Sequence, residues 1–262
     1  MNHSTTALPM STSGRSDGAP RLSCAVVSPC QVTRAERDEM YALLDKYFRG
    51  NSRDRFEADL GEKQTIILLR DAVSGRVQGF TTLVRLNAGV DGQDVVAFFS
   101  GDTIVDRDYW GETLLTQVWG QTVFAEVDRI RAERPAAAIY WFLICSGYKT
   151  WRFLPVFFRR FYPAPGQITP PHLHRIRDTL GTGKFGDQYC PESGIVRLRA
   201  ATPLRDGTAP VTDGRLRDPD IAYFVQMNPG HAHGDQLACL ADLSRSNLTR
   251  AGERMLKSRR AE

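Results

Sequence analysis

The chain of 262 residues carries 34 Lys and Arg against 30 Asp and Glu, a formal net charge of +4. This small excess is too weak to indicate nucleic-acid binding, and the apolar fraction of 42% suits a globular core. No stretch approaches the roughly 18 apolar residues that a membrane-spanning helix needs. We therefore expect no nucleic-acid partner and no membrane partner.

The N-terminal segment and the cysteines indicate the compartment. Residues 1–22 are rich in Ser, Thr, Gly and Pro, and they lack the apolar stretch of a signal peptide. The five cysteines include no C-x-x-C pair, and their odd number indicates free thiols in a reducing compartment. We therefore expect a cytoplasmic protein with a disordered N-terminal tail over residues 1–22.

The first third of the chain predicts strands and helices with clear boundaries. Thr33 and Glu36 have the spacing of a capping box, which predicts a helix that begins after Thr33 and is closed by Gly50. Residues 71–76 predict the turn of a hairpin, and residues 87–92 predict a second turn. The other elements predicted here are a strand at 24–27, a helix at 51–62, and hairpin strands at 65–69 and 77–86.

Residues 95–162 form the most informative stretch. From Gly111 onward, apolar residues with helical spacing predict a long helix that Pro135 stops. The unpaired N–H groups and the positive dipole end at its N-terminus suit a phosphate. The alternative is a βα unit of an ordinary core. The other elements predicted in this stretch are strands at 95–99, 103–105 and 138–145 and a helix at 150–158.

The last third of the chain predicts shorter elements between Gly- and Pro-rich loops, and it shows no internal repeat. The predicted elements are a helix at 172–180, strands at 195–198 and 222–225, a loop at 202–219 and a final helix at 246–256.

Three stretches resemble the GNAT (Gcn5-related N-acetyltransferase) superfamily. Residues 71–81 (DAVSGRVQGFT) resemble its second and third strands, where a turn Gly is followed by Val-x-Gly-Phe. Residues 105–111 resemble the end of its fourth strand and its acyl-CoA loop, and residues 138–162 resemble its fifth strand and following helix. The resemblance implies an α/β (α+β) fold with a mixed, mostly antiparallel central sheet flanked by helices and a V-shaped splay after the fourth strand. It implies an acyltransferase domain over residues 23–227, with residues 228–262 as a C-terminal loop and helix packed on that domain.

The acyl-CoA loop of this chain departs from the family pattern Gln/Arg-x-x-Gly-x-Gly/Ala. Only Gly111 agrees with it, while Trp110 is bulky and Glu112 adds a negative charge. Backbone N–H groups there still suit a phosphate, because that contact needs no particular side chain. In many members a tyrosine protonates the leaving thiolate. Its position falls near Val156 or Phe157, neither of which donates a proton.

The resemblance also implies site residues. We expect Asp102 to be the base that deprotonates the acceptor amine, with Ser100 close by, because Asp102 comes where the fourth strand should splay. Tyr148 or Tyr162 is the candidate to replace the missing tyrosine. The alternative is that residues 100–102 form a bulge or turn in which Asp102 hydrogen-bonds local backbone. The implied cofactor-binding residues are Thr103, Ile104, Val105, Gly111, Glu112, Thr113 and Leu114.

The implied activity is transfer of an acyl group to an amine of a small-molecule acceptor. The donor is acetyl-CoA, a longer acyl-CoA or an acyl carrier protein. The alternative is a catalytically inactive binding or accessory protein on the same fold. We expect no metal, since His231, His233 and Asp235 fit a polar turn after a strand, although a metal site or a substrate contact would use the same residue types. The sequence leaves open a homodimer.

Overall fold

The computed structural model describes residues 21–257, and within that range nine strands form a single sheet. The strands are β1 (Leu22–Val27), β2 (Thr65–Asp71), β3 (Val77–Val90), β4 (Gln93–Val105), β5 (Ala138–Cys145), β6 (Phe161–Tyr162), β7 (Tyr189–Cys190), β8 (Ile195–Val196) and β9 (Gln236–Asp242). The helices are α1 (Arg34–Tyr47), α2 (Arg53–Gly61), α3 (Leu114–Glu133), α4 (Tyr148–Trp151), α5 (Phe153–Phe157), α6 (Pro171–Phe185), α7 (Pro219–Met227) and α8 (Arg250–Met255). The predicted tail over residues 1–22 lies outside the described residues except for Arg21 and Leu22, and Leu22 begins β1.

The sheet is mixed and mostly antiparallel, as predicted. Its strand order is β1-β2-β3-β4-β5-β9-β8-β7, and the short β6 pairs with β9. Only β4 and β5 run parallel among the paired strands of residues 21–257. Their pairing extends from Val95 and Ala138 to Ser100 and Leu143, and it stops there. The predicted splay is therefore present, but it begins at Gly101 inside β4 rather than after the strand.

Alternate residues of each strand face two different layers of helices. Ile66 belongs to a core cluster with α1 and α2, whereas its neighbour Ile67 belongs to a cluster with α3 and α8. On β4, Phe99 packs with α6 while Phe98 lies in the cluster with α3. Because strand side chains alternate between faces, α1, α2 and α6 cover one face of the sheet and α3 and α8 cover the other.

Several predicted boundaries are confirmed. Thr33 caps α1 by accepting from the Glu36 N–H at 3.2 Å, and the Glu36 carboxylate accepts from the Thr33 N–H at 2.8 Å. Helix α2 lies within its predicted range, and β5 has its predicted bounds. β5 is buried along most of its length because strands pair with it on both sides.

The hairpin between β3 and β4 is tighter than predicted. Residues 87–90 continue β3, and the turn consists of Asp91 and Gly92 alone. Their φ angles are 51° and 78°. Positive φ at both positions defines a two-residue hairpin turn, for which Asp-Gly is a favoured pair.

The long helix begins three residues later than predicted. Gly111 has a φ of 99°, which an α-helix does not allow, and α3 begins at Leu114 after its N-cap residue Thr113. The Trp110 Nε1 donates to the Val105 oxygen at 2.9 Å. Gly111 therefore belongs to a compact loop between β4 and α3.

The helices after β5 differ in extent from their predictions. The helix predicted at 150–158 is divided into α4 and α5 at Arg152. Pro155 lies in the first turn of α5, where its missing N–H removes no helical hydrogen bond. Helix α6 extends five residues beyond the predicted end at Leu180.

The strand predicted at 222–225 is wrong, because these residues lie in α7. Asp218 caps this helix by accepting from the Asp220 N–H at 3.0 Å. Pro219 occupies the first helical position, where its fixed φ fits a helix. Ile221 and Phe224, three residues apart, are the buried residues of the helix.

The segment after residue 227, predicted as loop and helix, also contains a central strand of the sheet. β9 pairs antiparallel with residues 140–145 of β5 and is almost completely buried. Its sequence QLACLAD has no β-branched residue, so local propensity does not indicate a strand. Tertiary pairing with β5 decides its conformation.

A buried carboxylate connects the β2–β3 hairpin to the loop before α3. Asp71 accepts hydrogen bonds from the Ser74 N–H at 2.7 Å, from the Ser74 Oγ at 2.9 Å and from the Tyr109 OH at 2.7 Å. These donors, led by the Ser74 N–H, hold the pKa of Asp71 far below its ordinary value. The ionised carboxylate thus fixes the start of the loop that leads to α3.

We expect Tyr109→Phe to lower the midpoint of thermal unfolding at neutral pH by on the order of 5 °C, because the ionised Asp71 loses a donor. Since the pKa of Asp71 is lowered in the folded protein, its stabilisation is present above the ordinary Asp pKa and is lost as the pH falls below it. The difference between variant and wild type should therefore be smaller at about pH 2, nearer the folded-state pKa of Asp71, than at neutral pH. Tyr41→Phe is the control, because the Tyr41 OH makes only a 3.5 Å contact with the Asn51 oxygen. Equal losses for both variants at both pH values would contradict the prediction.

Candidate active site

Strand β4 contains a bulge that reverses which face its side chains occupy. Thr81 of β3 pairs with Thr103, and Leu83 pairs with Ser100, so β4 has one extra residue over this step. Before the bulge, Ser100 contacts side chains on the α3 side. After it, Asp102 lines a cavity formed with α1 and α2. The extra residue thus moves Asp102 to the face opposite Ser100.

Beyond the bulge, β4 and β5 separate, and three cavities meet in the opening. The charged cavity, about 390 Å³, lies on the side of α1, α2 and α6 and includes Asp102. The apolar slot, about 40 Å³, lies on the α3 side and is lined by Trp119 and Trp141. The groove, about 410 Å³, extends from the last residues of β4 to the loop at Gly111. Thr103 and Thr150 line all three.

The charged cavity contains carboxylates and cations in equal number. The Lys63 Nζ donates to the Asp59 Oδ1 at 2.6 Å, and only 1% of the Lys63 side chain is exposed. Lys63 lies against the bulge, since a Cβ on Gly101 would come within 3.1 Å of the Lys63 Nζ. Glycine at position 101 therefore leaves room for the buried Lys63 ammonium group. The charged residues that line the cavity are Arg55, Asp59, Glu62, Lys63, Asp102 and Lys184.

Asp102 has the electrostatic surroundings of a base. Burial raises the pKa of its carboxyl to about 6, and the negative charge of Asp59 adds to the increase while Lys63 opposes it. Asp102 is partly accessible, through the charged cavity. A carboxylate with this pKa is ionised near neutral pH and accepts a proton more readily than an ordinary Asp. The bulge of the alternative interpretation is present, and it is what turns Asp102 towards the cavity.

Ser100 lies in the aromatic core instead of beside Asp102. Its Oγ accepts hydrogen bonds from the Trp141 Nε1 at 2.8 Å and from the Trp119 Nε1 at 3.3 Å. The two indole rings are 4.6 Å apart between centroids, and Ser100 is 5% exposed. The hydroxyl therefore satisfies two buried donors, which is a structural task.

The groove ends at the N-terminus of α3. In the described part of the chain no side chain caps the first turn of this helix, so the N–H groups of its first residues lack helical partners. Gly111, Glu112 and Thr113 line the groove beside them, whereas Leu114 packs against the core. The charge of Glu112 is offset by Arg21, whose Nη1 lies 3.5 Å from its carboxylate.

Cations converge at the same end of the groove. The Lys149 Nζ lies 3.4 Å from the centre of the Trp110 ring and donates to the Thr208 oxygen at 2.7 Å. Burial lowers the pKa of Lys149, and the positive charges of Arg215 and Arg107 lower it further. Lys149 lines the groove, and Arg107 and Arg215 are near enough to lower its pKa, so an anion in the groove would stabilise these positive charges.

The last part of β4 presents to the groove an edge that no neighbouring strand within residues 21–257 pairs with. The Asp106 N–H donates to the Gln78 oxygen of β3 at 2.8 Å, and Ile104 faces β3 in the same way because backbone direction alternates along a strand. Thr103 and Val105 therefore direct their backbone groups away from β3, to the side where β5 has separated. Of these groups, the Val105 oxygen already accepts from the Trp110 Nε1. Thr103, Ile104 and Val105 all line the groove. Such an edge can pair with an extended ligand.

The structure does not bring either tyrosine to the opening. Tyr148 is 2% exposed, its hydroxyl is buried without a hydrogen-bond partner in the described chain, and it packs in the core with α3 and α7. Tyr162 pairs with Leu240 of β9 in the sheet. Neither lines the charged cavity, the slot or the groove.

Several lining residues have no signal in the sequence. Lys63 follows α2, and Lys149 and Thr150 lie in the short helix α4. None of these three residues belongs to a recognisable motif. The available hint is the Ser146-Gly147 break directly after β5, because ligands bind beyond the carboxyl ends of strands in open sheets.

Metal and membrane features are limited. Residues 21–257 contain no group of three or more His, Cys, Asp or Glu side chains placed to hold a metal ion. His231 and His233 lie in a short 3₁₀ turn, and Asp235 contacts Arg197 at 3.1 Å. No helix in this range is both long and apolar enough to cross a membrane.

No family model matches the chain, and no curated protein does. Solved structures do match it at low identity. A GNAT family N-acetyltransferase from Escherichia coli in complex with CoA is 21% identical, over 53% of this chain and 71% of that one, with a TM-score of 0.36. Glucosamine-6-phosphate N-acetyltransferase from Arabidopsis thaliana is 12% identical, over 57% and 97%, with a TM-score of 0.35. N-myristoyltransferase from Saccharomyces cerevisiae with bound myristoyl-CoA is 11% identical, over 55% and 33%, with a TM-score of 0.33.

The fold itself agrees with the resemblance seen in the sequence. Four antiparallel strands, a parallel β4–β5 pair that splays, and a long helix between these two strands are the features that the resemblance implies. The fold is therefore the mixed α/β fold that the sequence resemblance to the GNAT superfamily predicts.

We expect Ser100→Ala to lower the free energy of unfolding by about 2–4 kcal/mol, because two buried indole N–H groups lose their acceptor. Urea unfolding followed by circular dichroism measures this difference. Ser246→Ala is the control, since Ser246 is exposed. A catalytic role for Ser100 would instead appear as a lower rate at unchanged stability.

Proposed function

We propose that the protein is an N-acyltransferase that moves an acyl group from acyl-CoA to the amine of a small molecule. The observation that supports this most is the meeting of three cavities at the open edge of β4. The groove would hold the CoA, the charged cavity the acceptor and the slot the acyl group. Thr103 borders all three, so a thioester carbonyl placed beside it could be reached from each.

The groove suits CoA in both its parts. The pantetheine arm is an extended chain of amides, and it would pair with the open edge of β4 at the backbone of Thr103 and the N–H of Val105. The pyrophosphate would lie at the N-terminus of α3, near Gly111 and Thr113. Lys149 would add charge there, because an anion relieves the repulsion that lowers its pKa.

The open edge of β4 also supplies a group for the chemistry. A backbone N–H that faces the opening, such as that of Thr103, would donate to the thioester oxygen as negative charge develops on it. The N–H is fixed by the sheet, so little reorganisation accompanies the reaction. Thr150, the other residue common to all three cavities, would donate a hydrogen bond to the departing sulfur in place of a tyrosine.

Asp102 would act as the base. The amine nitrogen attacks the thioester carbonyl carbon, a C–N bond forms and the C–S bond breaks. The nitrogen gives one proton to the Asp102 carboxylate, directly or through water, and the CoA sulfur leaves as a thiolate that takes up a proton. The products are the amide and the CoA thiol, and the carboxylate is restored when its proton passes to solvent. Transfer occurs within one ternary complex, with no covalent enzyme intermediate.

We expect Asp102→Asn to lower kcat on the order of 10²-fold while the affinity for CoA changes little, because the variant keeps the size and loses the base. In the wild type, kcat/KM should rise with pH through about 6, as the Asp102 carboxyl ionises. Steady-state rates measured across pH would show this limb, and its persistence in Asp102→Asn would move the base elsewhere.

Asp59→Asn separates the effect of charge from that of position. Its neutral side chain no longer raises the pKa of Asp102, and it leaves Lys63 free to lower that pKa. The acidic limb of the rate profile should therefore move to lower pH, with the plateau rate retained within a few-fold.

We expect Gly111→Pro to weaken CoA binding by about 10-fold or more, because one hydrogen bond to the phosphate is lost. Proline cannot adopt the φ of 99° found at Gly111, and it removes an N–H from the loop. Gly166→Pro is the matched control, because Gly166 has a φ of 68° in the loop before α6 and lines none of the three cavities. Calorimetric titration with CoA measures both variants. Normal affinity in Gly111→Pro would place the pyrophosphate elsewhere.

A further inference from the structure

The apolar slot is closed at one end by α8. Gly252 lies so close to the backbone of α5 that an added Cβ would be 2.4 Å from the Phe157 oxygen. Met255 packs so closely on Gly120 of α3 that an added Cβ there would be 2.2 Å from the Met255 Cγ. These two close approaches at glycine fix α8, and they hold the 3% exposed Met255 at the wall of the slot.

Apart from Thr150 at the border with the groove, the side-chain hydroxyls around the slot have partners within the protein. The Thr81 and Thr103 hydroxyls lie 2.7 Å apart and bond to each other. The Ser100 hydroxyl accepts from two indoles, and the Thr116 hydroxyl donates to the Thr113 oxygen at 2.8 Å. The remaining walls are the apolar parts of side chains, namely Leu115, Trp119, Trp141, Leu143, Phe153, Phe157 and Met255. The slot therefore suits an apolar occupant.

The size of the slot limits that occupant. A water-sized group needs about 10–15 Å³ of such space, so a slot of about 40 Å³ takes about three carbon atoms. The slot shares Thr103, Leu115 and Thr150 with the groove. An acyl chain attached at the groove would enter from that side and extend towards Met255.

We propose that the slot holds the acyl chain of the donor and that Met255 limits its length, so that the preferred donors are thioesters of about four carbons rather than acetyl. This inference depends on the proposed function, and it adds the donor class and a residue that determines specificity. Met255 touches neither the carbonyl nor the acceptor. It acts by setting the depth available to the chain.

The test is calorimetric titration of the full chain, without acceptor, with free CoA and with acetyl-, butanoyl-, hexanoyl- and octanoyl-CoA. Because two further methylene groups become buried, butanoyl-CoA should bind about 10-fold more tightly than acetyl-CoA in the wild type. Octanoyl-CoA should bind more weakly than butanoyl-CoA, since its chain would meet Met255.

Met255→Ala should move the tightest binding to hexanoyl- or octanoyl-CoA, with a relative gain for octanoyl-CoA of about 10-fold or more. Met255→Val, which removes less volume, should produce the same change to a smaller extent. Met40→Ala is the matched control: Met40 is fully buried in the cluster of α1 and α2, so the variant has a comparable core truncation but should keep the wild-type profile.

The outcomes separate this inference from the proposed function. If free CoA does not bind, the proposed function is overturned and the slot has no donor to receive. If CoA binds but all chain lengths bind equally, or if Met255→Ala keeps the wild-type profile, the slot inference is overturned while the acyltransferase proposal stands.

Discussion

The bulge in β4 and the loss of β4–β5 pairing directly after it are the constraint on which the site depends. One extra residue at Gly101–Asp102 reverses the side-chain alternation, so the same strand contributes Ser100 to the α3 layer and Asp102 to the opposite layer. The separation of the strands frees the backbone of Thr103 and Val105. If β4 were regular, its pairing with β5 would continue past Ser100 and no opening would form between the two strands.

Ser100 and Lys63, on opposite sides of the bulge, both have hydrogen-bond partners within the protein. On one side, Ser100 accepts from two indoles, and on the other, the buried Lys63 packs against Gly101 and pairs with Asp59. A buried lysine without a carboxylate would lose its charge or destabilise the fold. The same pair adjusts Asp102, because Asp59 raises its pKa while Lys63 lowers it. Lys63 and Asp59 thus both support the bulge and adjust the pKa of Asp102.

Charge is divided between the two large cavities. The groove has uncapped helix N–H groups and the cations around Lys149, and Arg21 offsets the negative charge of Glu112. The charged cavity has carboxylates paired with lysines, such as Glu62 with Lys184. The groove therefore favours an anion, whereas the side chains of the charged cavity balance one another in charge.

By itself, the sequence determined the elements with strong local signals: the capping box of α1, the β2–β3 hairpin, the buried β5 and the apolar stripe of α3. It also located Asp102 and the loop at Gly111, because both lie next to those elements in the chain. Tertiary structure decided the rest. β9 is a strand because β5 pairs with it. The sequence offered a bulge at residues 100–102 only as an alternative, and the pairing with β3 decides that it forms and places Ser100 and Asp102 on opposite faces. Lys63, Lys149, Thr150 and Met255 reach the opening from distant segments, and only the packing of the helices on the splayed sheet brings them together.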